Sequence, residues 1–62
     1  MDQATIATAI ATHTELFEYH LANSVTAGKN GSPDSQDSQW KQAALHATIL
    51  TELRAKWRET CD

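Results

Sequence analysis

"AGKNGSPDSQDSQ" (residues 27–39) holds both glycines of the chain and its only proline, set among Ser, Asp and Asn. These residue types end helices, tighten turns and start helices again. Gly28 suits the position just past a helix C-terminus, where the backbone takes positive φ. Ser32-Pro33-Asp34 suits a helix start: a hydroxyl N-cap, proline at the first helical position and an acid near the positive helix end. Asp34 and Ser35 compete as caps. One bend over about residues 27–34 therefore separates a helix of about residues 3–26 from a second of about 35–60, within a single domain spanning 1–62.

Outward from the bend, both flanks carry helical periodicity. Ile6, Ile10, His13, Phe17 and His20 are spaced 4, 3, 4 and 3 apart; Ala43, His46, Leu50, Leu53 and Trp57 are spaced 3, 4, 3 and 4 apart. These are seams of period 3.5. Ala9, Leu16 and Leu21 widen the first stripe, and Trp40, Ala47 and Ile49 widen the second, beyond what a two-helix seam buries. "TIATAIAT" (5–12) alternates like a strand and is rich in β-branched residues. Its alanines, and a seam that runs unbroken into Phe17, favour helix. The fold class expected is all-α: an antiparallel two-helix hairpin in which facing positions sum to roughly 63, so that His13 meets Leu50 and Phe17 meets His46. Two helices leave half of each stripe wet, and a second copy completing a four-helix bundle is the expected remedy.

Sixty-two residues with a single cysteine make a small core and no internal disulfide, so stability has to come from a metal or a partner subunit. The net charge of −3 argues against nonspecific nucleic-acid binding. The charge is uneven: residues 1–28 contain Asp2, Glu15 and Glu18 and no Lys or Arg, while all five basic residues lie at Lys29 or beyond. With no basic n-region, no arginine-rich presequence and no apolar run of ~20 residues, a cytoplasmic protein without a membrane span is expected. Asn30-Gly31-Ser32 matches a glycosylation sequon but reads better as part of the bend.

"HTELFEYH" (13–20) and His46 are the candidates for metal or acid–base chemistry. All three histidines fall on seam positions, whereas Glu15 and Glu18 lie off them, and no Glu-x-x-His pair exists. His13 and His20 are two turns apart, about 10 Å, too far to share one ion unless another helix supplies a ligand. No metal site and no cofactor are expected; the histidines read as seam residues that hydrogen-bond across helices. Seam imidazoles also make assembly sensitive to acid.

"RAKWRE" (54–59) sets Arg54, Lys56 and Arg58 around Trp57, a pattern that can hold RNA by charge and stacking. Basic residues in a last helical turn equally complement the helix dipole, and Glu52 and Glu59 dilute the patch, so RNA binding is the lesser alternative. Cys61 reads as an idle thiol or an intersubunit disulfide. Gly28-Lys29-Asn30-Gly31 lacks the spacing of a phosphate loop, and so short a chain has little room to enclose a substrate, so no enzymatic activity is expected. Tyr19, Val25, Trp40 and Leu45 fall outside the seams and are the candidate partner-binding residues. The function expected is a non-enzymatic protein–protein interaction module, a regulator, adaptor or chaperone-like hairpin, with itself and another protein as partners. A dimeric RNA-binding regulator is the first alternative, and a metal-binding bundle the second.

Overall fold

The computed structural model describes residues 2–60. It contains two helices, α1 (Gln3–Lys29) and α2 (Pro33–Thr60), packed against each other along their length. Moving up α1, the cross-helix hydrogen bonds run from His13 to His46, from His20 to Gln39 and from Ser24 to Gln36, so the helices are antiparallel. The molecule is a rod of 48 × 14 × 14 Å. Neither helix is long and apolar enough to cross a membrane. Cys61 lies outside the described residues.

Asp2 starts α1. Its carboxylate accepts from the Thr5 amide at 2.8 Å, which satisfies one of the donors a helix start leaves free, and its carbonyl accepts the first helical bond, from the Ile6 amide at 3.1 Å. The Thr5 amide also holds the Asp2 carboxyl below its usual range. The strand-like run of residues 5–12 is helical throughout. Its threonines do not oppose this: the hydroxyl of Thr8 donates to the Ala4 carbonyl at 3.0 Å, and Thr14 repeats the bond to Ile10 at 2.7 Å.

Both helices are longer than expected, because the glycine that ends α1 is Gly31 and not Gly28. Gly31 has φ 71°, whereas Gly28 stays helical. Gly31 donates to the Gly28 carbonyl at 3.2 Å and Ser32 to the Ala27 carbonyl at 2.9 Å, the paired bonds of a Schellman ending. Ser32 then turns straight into α2: its carbonyl accepts the first helical bond, from the Gln36 amide at 2.9 Å, and Pro33 takes the first helical position. One residue closes α1 and opens α2, so the bend shrinks to residues 30–32. Gly28 has a different use. A Cβ there would lie 2.6 Å from Nε2 of Gln36, whose side chain crosses over from α2.

The seam is the core. Ile6, Ala43 and Leu50 are buried, and Ile10, Phe17, Leu53 and Trp57 are half-buried. The polar partner of His13 across the seam is His46. His46 lies level with the middle of the His13–His20 interval and its ring reaches both, since a summed position marks a height along the rod rather than a single partner.

Candidate functional site

Three imidazoles gather at mid-rod, as the seam spacing dictates. Nδ1 of His13 lies 2.8 Å from Nδ1 of His46, with ring centroids 5.0 Å apart. On the other side of His46, the His20 ring stacks nearly parallel, 5° between planes at 5.7 Å. His20 turns its own Nδ1 to Oε1 of Gln39 at 2.7 Å, and its ring makes a T-shaped contact with that of Tyr19, centroids 5.2 Å apart. All three rings are half-buried. Burial, and then the charges of His13 and His20, hold the His46 ring below the ordinary 6.5.

These contacts carry chemical information. A neutral imidazole has one N–H and one lone pair, and two facing nitrogens at 2.8 Å form a bond only if one carries the proton and the other does not. A neutral His13–His46 pair joined in this way requires opposite tautomers. Gln39 accepts with its amide oxygen, so Nδ1 of His20 is the donor there. Among the described residues, no group of three or more His, Cys, Asp or Glu side chains is arranged to hold a metal ion.

The four candidate partner-binding residues are all well exposed: Tyr19 62%, Val25 52%, Trp40 56% and Leu45 54%. They do not form one patch. At ~100° per residue, Tyr19 and Val25 stand about 120° apart around α1, and Trp40 and Leu45 about 140° apart around α2. By that geometry, antiparallel packing turns Tyr19 and Leu45 towards one flank of the rod and Val25 and Trp40 towards the other. Helix geometry adds Leu16, at the margin of exposure, and half-buried Ile49 to the first flank. The second flank carries a shallow groove of about 280 Å³ lined by Ser24, Pro33, Gln36, Asp37 and Trp40.

Arg54, Lys56 and Arg58 are exposed on the last turns of α2, but they do not act as one surface. Lys56 lies 3.5 Å from Glu59, and Arg54 joins Ala7, Ile10 and Trp57 around an apolar groove. Trp57 is half-buried in the seam, which covers part of the ring that base stacking would use.

Ser24 and Gln39 were passed over by pattern reading because they are polar. Ser24 is only 4% exposed, and its hydroxyl donates to the Gln36 carbonyl at 3.0 Å. Gln39 fixes His20. The signal was present: the 3,4 spacing carried on from His20 reaches Ser24, and carried back from Ala43 reaches Gln39 and Gln36.

Comparison with models of protein families, with curated proteins and with solved structures finds no match for the chain.

Proposed function

We propose that this chain is a non-enzymatic interaction module that pairs with a second copy of itself into a four-helix bundle and offers its remaining flank to another protein. The observation that carries the reading is the flank of Leu16, Tyr19, Leu45 and Ile49. These are four large apolar side chains on a rod whose own buried apolar residues are Ile6, Ala43 and Leu50. A compact monomer of this mass exposes about 4,000 Å², and this hairpin exposes 4440 Å². The footprint of one rod face, the product of 48 Å and 14 Å, is on the order of 700 Å² per copy, close to the ~800 Å² per partner of a standard interface. A two-fold axis would lay this flank on itself, apolar against apolar, and bring four helices round one core.

The opposite flank is of mixed character. Val25 and Trp40 stand among polar neighbours, with Asp37 and Lys41 ion-paired at 2.8 Å close by. An exposed Trp beside a shallow polar groove suits a reversible contact with a different protein, in which the aromatic enters a pocket of the partner.

Sedimentation of the purified chain tests the self-association. The wild type should sediment as a dimer, and the double variant Tyr19→Ser, Leu45→Ser as a monomer with its helical circular dichroism intact. A wild type that stays monomeric over the whole dilution series would overturn the dimer. Loss of helicity in the double variant would move both residues into the hairpin's own core. For the second flank, affinity capture from the native host followed by mass spectrometry should recover one stoichiometric protein that Trp40→Ala no longer retains.

A further inference from the structure

We propose that His13, His46 and His20 form a proton-operated latch, which fastens α1 to α2 at mid-rod while His13 and His46 share one proton along their Nδ1···Nδ1 line and releases when each of the two nitrogens carries its own.

The geometry sets how the latch works. In the neutral pair one Nδ1 donates and the other accepts across 2.8 Å. One added proton can sit on the outer Nε2 of the donor ring, which turns the bridge into a charge-assisted N–H⁺···N bond and keeps it closed. The next proton has only the accepting Nδ1 to go to. Two N–H groups would then point at each other with no acceptor between them, on two cations inside a half-buried seam. His20 hinders a simple sidestep, because its ring is stacked parallel to that of His46 at 5.7 Å. Its Nδ1 is engaged by the neutral amide of Gln39, which brings no negative charge.

The charged groups that act on His46 are His13 and His20 on the facing helix. Glu15 and Glu18 lie on the exposed side of α1, and α2 sets Gln39 against the cluster. Ion pairing that would soften the repulsion is therefore not built in. Since His46 is held below 6.5, an unfolded chain takes up its proton at a higher pH than the folded one. Its contribution to stability is complete above about 6.5, falls as the pH drops below that, and is gone once the pH has passed the folded value. His13 and His46 belong to the same chain, so the latch stands or falls independently of self-association.

Two measurements test it. Long-range ¹H–¹⁵N spectra of the wild type near pH 7.5 should show one of the His13 and His46 rings protonated at Nδ1, the tautomer that free imidazole side chains disfavour. Both rings protonated only at Nε2 would overturn the proposal without any variant being made. Thermal unfolding should then show Tm lower by several degrees near pH 5 than near pH 7.5, equally at high and low protein concentration. Most of that difference should vanish in His46→Gln, or in His13→Gln should the first variant not fold. An equal acid shift in wild type and variant would overturn it, and a shift present only at low concentration would assign the effect to dimer dissociation instead.

Discussion

Leu50 is 4% exposed at the centre of α2's seam stripe, and the hairpin has few residues like it. Truncating such a side chain to alanine costs about 2–5 kcal/mol through lost transfer energy and the cavity left behind. A core this small supplies at most ~3–5 kcal/mol in total. Leu50→Ala should therefore lose most of its helical circular dichroism at room temperature, rather than merely melt earlier. Ser24 is a milder case. Its buried hydroxyl donates to a carbonyl that also belongs to α2's own ladder, so Ser24→Ala leaves no acceptor stranded. The expected loss is about 1 kcal/mol, read as a shift of the urea midpoint with an unchanged slope. Side chains of this kind mark the limit of pattern reading at single positions. Hydrophobicity ranks Leu50 as core at a glance. It ranks Ser24 as surface, although Ser24 continues the seam of α1 as Leu50 does that of α2 and is buried because the Gln36 carbonyl accepts its hydroxyl.

For the helices, the two glycines separate by substitution. Gly31 sits at φ 71°, where a Cβ costs about 1–2 kcal/mol, so Gly31→Ala should lower Tm. Gly28 is helical, and there alanine gains about 0.5–1 kcal/mol over glycine. The nearest atoms to its new Cβ are those of the amide end of Gln36, a flexible side chain that can swing outward. Gly28→Ala should leave Tm unchanged or raise it, and matched thermal melts of the two variants check the opposite signs. This pair also explains what the sequence disclosed about the elements. The 3,4 spacing of Ile6, Ile10, His13, Phe17 and His20 identified α1, because burying one stripe admits no other period. Ser32-Pro33 was one of three starts the sequence offered for α2, beside Asp34 and Ser35, and the helix begins at Pro33 rather than at about residue 35. The end of α1 was not legible, since Gly28 and Gly31 are equally able to adopt positive φ. The choice rests on Ser32, which donates to the Ala27 carbonyl to close α1 and accepts from the Gln36 amide to open α2, and on Gly31 donating to the Gly28 carbonyl. That double use of one residue is not encoded in the turn propensities of the glycines.

For the molecule as a whole, the decisive quantity is how its apolar surface is divided round the rod. Residue numbers alone put Tyr19, Val25, Trp40 and Leu45 into one group near the bend. Only the angular offsets around two antiparallel helices split them, and the proposed function gives each flank its own task. If Leu16, Tyr19, Leu45 and Ile49 meet their counterparts across a two-fold axis, a charge set among them is buried twice in each dimer. It then pays desolvation without a partner, a penalty of several kcal/mol per ion. Every 1.4 kcal/mol is tenfold in the dissociation constant, so Leu16→Arg should weaken the dimer by at least a hundredfold. Leu16 sits at the margin of exposure in the hairpin, and a long arginine there can reach water in the monomer, so folding should survive. Trp40→Ala removes as much apolar surface from the other flank and should leave the dimer constant unchanged. Because association stabilises only the folded state, Tm of the wild type should also rise with protein concentration, and Tm of Leu16→Arg should not. Sedimentation equilibrium on the three proteins decides the matter. Should Trp40→Ala dissociate the dimer while Leu16→Arg spares it, the flanks exchange roles, and the Val25–Trp40 face becomes the one that builds the bundle.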